Sequence, residues 1–253
     1  MGRCLGNEKQ MSSFFENNYP SISYLALRWP KSKYLVERYV MSNRLEPDLF
    51  KLCNSCLKSL NFYKKNPLLL KLKKLSKICS KNFVFNTYHS PHHFKSVVLL
   101  SSIFSSKYNL NDFDKILVVI LSLTHDMSHQ GRRISSFPYY QELKTLKQLE
   151  QNIFCKILSF NKWKRIKRII LNTYFPVKCK VGKDLVEKII LDVDVIISLM
   201  FGSQNGLKLT NRLKTEIRFN NKSEVLFSDF LKCIEKKKLH LEISKKSCSN
   251  RVY

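Results

Sequence analysis

Glycine and proline are scarce in this chain, 6 and 7 among 253 residues. That leaves too few turn residues for a many-stranded sandwich or barrel, and too few glycines for a phosphate-cradling loop. Acidic residues are scarce as well: 19 Asp and Glu face 45 Lys and Arg, for a formal net charge of +26. No run approaches the ~20 apolar residues of a membrane span. The amino-terminal stretch lacks the clean apolar segment of a secretory signal, so we expect no membrane span and a cytoplasmic location. Matched cysteine pairs are also missing. Cys53-Asn54-Ser55-Cys56 is a lone CxxC, short of the four ligands of a structural zinc site, and we expect reduced thiols.

What the chain does have is core-forming material. A hydrophobic share of 44%, with 17 Phe and 11 Tyr, excludes a wholly disordered basic tail. The charge would draw phosphate backbones, so nucleic acid is a possible partner. It is not the favoured one, because lysines outnumber arginines roughly three to one and are scattered rather than grouped, whereas bidentate phosphate readers tend to be Arg. Trp29 and Trp163 read as core aromatics, and the basic run from Lys162 to Arg168 as a solvated helix face.

The patterning predicts an all-α, compact multi-helix bundle. A helical extension over 1–82 packs on a body over 83–220, followed by a carboxy-terminal helix and basic tail over 221–253. Residues 1–20 and 241–253 are expected to fray. Amphipathic helices are expected between Ser21 and Lys81, another from His93 to about Ser105, and further ones near 141–160, 161–174, 183–200, 206–219 and 224–237. Gly202 and Gly206 are expected to mark a loop. The run from Lys115 to Asp126 is apolar nearly all round and would suit a buried strand or a buried helix. We read it as a helix, because the His-Asp pair at its end makes better sense there.

Five of the six histidines lie between positions 89 and 129. They form two groups, Tyr88-His89-Ser90-Pro91-His92-His93 and His125-Asp126-Met127-Ser128-His129-Gln130-Gly131. Residues four apart share a helix face, so His89 with His93 and His125 with His129 can each point to one pocket. A divalent metal can use both members of the His125-Asp126 pair. A further carboxylate is available from Asp192 or Asp194, two acids inside a run of branched apolar residues where an unpartnered charge is costly.

The first histidine group, continued through Phe94-Lys95-Ser96-Val97, resembles the YHNxxHAxxV signature of class I cyclic-nucleotide phosphodiesterases. The second resembles their HDxxHPG, and both signatures lie within the HD metal-dependent phosphohydrolase superfamily. Leu149-Glu150, the segment Arg168 to Thr173, and Asp192-Val193-Asp194 resemble later family segments in the same order, so the resemblance covers 83–220. The chain departs from the pattern with Ser90 for Asn, Gln130 for Pro, no histidine after Glu150, and Tyr174 where an Asp is usual. The resemblance implies an HD-type fold and hydrolysis of the 3′ phosphoester of a cyclic nucleotide, a small-molecule substrate. It implies that His93, His125, Asp126 and Asp194 bind a first metal, usually zinc. Asp126 would bridge to a second, usually magnesium or manganese and otherwise held mostly by water. His89 is implied as the general acid, His129 as the neighbour of the bridging hydroxide, Glu150 as an outer acceptor and Tyr88 as a substrate contact. Two rivals stay open: another nucleotide substrate under the same chemistry, and a basic nucleic-acid-binding protein on an inactive HD scaffold. The oligomeric state is left open too.

Overall fold

Short amphipathic segments with good caps open the described chain. They are α1 (Ile22–Leu27), α2 (Lys33–Met41), α3 (Leu49–Ser59) and α4 (Pro67–Ser80). Side-chain oxygens of Ser21, Asp48 and Asn66 accept first-turn amides of α1, α3 and α4, and Pro67 takes the first turn of α4, where its missing N–H costs nothing. The computed structural model describes residues 21–41, 48–81, 86–131, 137–154, 157–174, 182–237 and 239–248. Among them are twelve α-helices and no strand, the all-α architecture that the patterning predicts.

The middle of the chain builds the core. In α5 (Pro91–Ser105) every residue except His92 is buried, and α6 (Asp112–Thr124) is buried from Ile116 onward. The ambiguous apolar run is therefore a helix, capped by Asn111, whose Oδ1 accepts the Asp114 amide at 2.9 Å. Phe94, Leu100, Ile103 and Phe104 have no exposed surface, each contributing about 1.5–3 kcal/mol by burial. Helices α1, α2 and α3 pack on α5, and α4 on α6.

The 141–160 segment does not run as one helix. It is α7 (Tyr140–Leu149) followed by a π-helical turn, Glu150–Phe154, with residues 155 and 156 outside the described set. Then come α8 (Phe160–Asn172), α9 (Leu185–Ile196), α10 (Ser203–Ile217), α11 (Ser223–Lys237) and α12 (Glu242–Cys248). Helix α9 lies against both α5 and α6. Gly202 serves the expected loop with φ 85°, but Gly206 sits inside α10. An added Cβ there would lie 2.6 Å from the Phe227 ring and 2.7 Å from the Ser198 carbonyl, so this glycine allows close helix packing rather than a turn. The carboxy-terminal segment also departs from expectation. Instead of fraying, it forms α12, burying Ser244, Ser247 and Cys248, with the Trp29 indole N–H donating to Ser247 Oγ at 3.1 Å. Small polar residues that pack well carry no apolar signal. Residues 1–20 and 249–253 lie outside the described set.

The basic run on α8 is not simply a solvated face. Arg165 donates to both Asp184 oxygens, at 3.0 and 2.9 Å, and pairs with Asp114 at the start of α6. Arg168 donates from Nε to Glu187 Oε2 at 3.0 Å, and the Lys183 amide reaches the same oxygen at 2.9 Å. Glu187 is fully buried, so Glu187→Ala strands several donors. We expect it to lower stability by about 2–3 kcal/mol, read as a lower urea midpoint with unchanged slope.

The CxxC faces the core. Cys53, Cys56 and Cys79 are buried and free, and burial pushes their thiols up, Cys56 to about 12. Cys56 and Cys79 donate to the Val98 and Leu123 carbonyls, and among the described residues none of the three thiols joins a metal-ligand group. Cys4, Cys155 and Cys179 lie outside the described residues. Among the described residues no helix is long and apolar enough to cross a membrane.

Candidate metal centre

Three buried helices bring four side chains to one point. His93 stands in the first turn of α5, His125 caps α6 with Asp126 following it, and Asp194 comes from α9. Their ligand atoms all lie within 4.8 Å of one another. His125 Nε2 is 3.1 Å from Asp126 Oδ2, 3.4 Å from Asp194 Oδ1 and 3.2 Å from His93 Nε2. His93 Nε2 in turn lies 3.5 Å from Asp126 and 3.3 Å from Asp194. The two histidine side chains are 3% and 0% exposed and the two carboxylates 15% and 23%, so the cluster opens on its acidic side.

This donor set fits a divalent cation. His125 Nδ1 faces the Ser122 carbonyl at 3.1 Å and must carry a hydrogen to bond it, which leaves Nε2 with a lone pair aimed at the centre. Two imidazole nitrogens and two carboxylate oxygens then converge as acceptors, and a cation satisfies all four. Without one, protons take its place. Burial alone would push the His125 imidazole down, but Asp126 and Asp194 outweigh it and hold it well above its ordinary value; His93 is raised in the same way. Burial would raise Asp126 and Asp194, yet the histidines hold both well below the usual carboxylate range.

Asp192 and Asp194 separate cleanly. Two residues apart on a helix they point to different faces. Asp192 turns away, accepting His240 Nδ1 at 2.7 Å and the Leu241 amide at 2.8 Å, and so fastens the entry to α12.

A second cluster adjoins the first. The Glu216 side chain, on α10, has no exposed surface, and its Oε2 accepts the Tyr88 and His89 amides at 2.7 and 2.9 Å. Its Oε1 takes His89 Nδ1 at 2.6 Å and lies 3.1 Å from His129 Nδ1. The two imidazoles stack, centroids 3.6 Å apart, and Asn86 ties their backbones by donating to both carbonyls. His89 Nε2 is left facing Asp126 Oδ2 at 3.7 Å. These three residues also have metal-ligand spacing. Both Glu216 oxygens are already engaged by protein donors, so the cluster is read as a hydrogen-bonded unit that aims His89. Burial and the His129 charge push His89 down against Asp126 and Glu216, while hydrogen bonds from His129 and His89 overcome burial and hold Glu216 low.

Two acids escaped the sequence reading. Glu216 sits in an unremarkable basic helix, and only its apolar neighbour Ile217 hints at an inward face. Glu142 on α7 is 8% exposed, and burial, with the charges of Asp126 and Asp194, raises it to about 7. Glu150 is exposed on the π-helical turn and belongs to neither cluster. The Tyr88 ring lies 4.8 Å from His89 and 5.1 Å from His93, and its hydroxyl is 3.1 Å from Ser198 Oγ.

Comparison with protein-family models, curated proteins and solved structures found no match to this chain.

Proposed function

We propose that the chain is a metal-dependent phosphohydrolase that opens the 3′ phosphoester of a cyclic nucleotide to give the 5′-monophosphate. The observation that carries this reading is the convergence of His93, His125, Asp126 and Asp194 within 4.8 Å, with His89 Nε2 beside Asp126. Zinc suits the buried nitrogen-and-oxygen set, and magnesium or manganese a second, more hydrated position. Such ions, when bound, lower the pKa of water and draw charge from phosphoryl oxygens.

The chain's own groups do the rest. Glu216 fixes Nδ1 of His89, so Nε2 is the atom that gives a proton to the departing 3′ oxygen as a water oxygen bonds to phosphorus and the P–O3′ bond breaks, and the proton shed by that water restores the imidazolium. His129 stacks on His89 and shares its carboxylate, which holds the ring plane. Tyr88 walls His89 and His93 on one side. The net charge of +26 favours approach of an anionic substrate.

The test is release of monophosphate from cyclic AMP and cyclic GMP by protein loaded with zinc plus magnesium or manganese, and turnover is the expected result. Metal-loaded protein that leaves both intact would overturn the cyclic-nucleotide substrate and point to linear nucleotide phosphates. Protein that holds no metal would overturn the hydrolase reading and leave a basic scaffold whose nucleic-acid affinity falls steeply with salt.

A further inference from the structure

We propose that Glu142 is a protein ligand of a second, hydrated divalent cation held between α7 and Asp126, beside the four-residue centre; this rests on the metal-centre reading above. Helix α7 turns Glu142, Thr145, Leu146 and Leu149 inward, while Leu143 stays 55% exposed, so Glu142 belongs to the face that meets the core. The helix is fixed next to the histidine clusters, because the Gln130 amide, one residue after His129, donates to Gln141 Oε1 at 3.1 Å.

In that position Glu142 Oε2 is buried without a hydrogen-bond partner. Buried carboxylate oxygens are almost always satisfied, so this orphan needs an explanation. The groups that act on it include Asp126 and Asp194, both repelling, and His129, attracting. Placing three carboxylates together makes physical sense if positive charge joins them. One cation in the four-residue set uses both histidines and the inner carboxylate oxygens. Asp126 and Glu142 then offer oxygen alone, with the remaining positions left to water. That is the environment of magnesium or manganese rather than of zinc.

Manganese is the probe, added to metal-stripped full-length protein and counted by equilibrium dialysis with elemental analysis, and by the electron paramagnetic resonance signal of the free ion. The wild type is expected to bind two ions, one of them tighter. Glu142→Gln is expected to keep the tighter ion with unchanged affinity and to bind the other tenfold or more weakly. Metal-free Glu142→Gln should melt at or above the wild-type temperature, since a neutral amide relieves repulsion. If it does not fold, Glu142→Asp, which keeps the charge on a shorter stem, is read for the same selective weakening. A second ion bound as tightly by Glu142→Gln as by the wild type would overturn the proposal, and so would a wild type saturating at one ion. Asp194→Asn, losing the tighter ion, judges the four-residue centre separately; wild-type protein that binds none removes both readings.

Discussion

Asp126→Asn is expected to strip the tighter metal and to abolish turnover while leaving the fold intact. Asp126 is the residue that faces everything in the site: His125 at 3.1 Å, His93 at 3.5 Å and His89 at 3.7 Å. An amide of the same shape keeps the packing but removes the charge that balances a divalent ion. Metal stabilisation of phosphoryl charge is worth several kcal/mol, so the loss should reach about three decades in rate. Elemental analysis and single-turnover kinetics on the same preparation check it. Retained metal with unchanged turnover would remove Asp126 from the site.

The same residues set a pH dependence whose sign can be worked out. In the metal-free protein His93 and His125 are held above their ordinary 6.5. Their protonation therefore stabilises the metal-free fold fully below about pH 6.5, and that contribution is lost as pH rises through the raised values. A cation must displace those protons, so metal affinity rises with pH over the same window and loading releases protons. Calorimetry in buffers of different ionisation enthalpy reads the number directly.

Much of this was legible in the sequence because it is local. Helices α5 and α6 announce themselves by long apolar runs, the second with Asn111 as its cap, and the histidine groups sit at the ends of those runs. A candidate ligand that ends a buried helix lies close in sequence to its own structural signal. What the sequence could not supply depends on contacts between distant helices. Glu216 meets His89 across 127 residues, and no spacing rule reaches that far. Motif order singles out Glu150 and passes over Glu142, but Glu150 stands exposed where the α-helix changes to a π-helical turn, while Glu142 turns inward. Nor could periodicity alone choose between Asp192 and Asp194. Both lie in one apolar run, and only the partner of each, His240 for one and the histidine pair for the other, tells them apart.

Glu216 gives the sharpest test of how His89 works. In Glu216→Gln the buried amide can still accept the Tyr88 and His89 backbone N–H groups through its oxygen, so the loop should hold. Its NH₂ then faces His89 Nδ1, which must become an acceptor, and the ring shifts to the tautomer with its only hydrogen on Nε2. The imidazolium that serves as acid loses the carboxylate that stabilised it. We expect turnover to fall by about 10²-fold with metal content unchanged, and His89→Ala to fall by about 10²- to 10⁴-fold, the usual range for a general acid. The pH profile separates aim from mere packing. An acid works only while protonated, so the rate declines as pH rises through the pKa of His89. Burial and His129 already press that value down, and only Asp126 and Glu216 oppose them. Removing the Glu216 charge must lower it further, which moves the alkaline limb of the Glu216→Gln profile to lower pH. In His89→Ala that limb should vanish. An unmoved limb in Glu216→Gln would reduce Glu216 to a packing role, and loss of metal in the same variant would instead make the second cluster a ligand set. The expected pattern, slow turnover, full metal and a displaced limb, belongs to a carboxylate that acts through the histidine it holds.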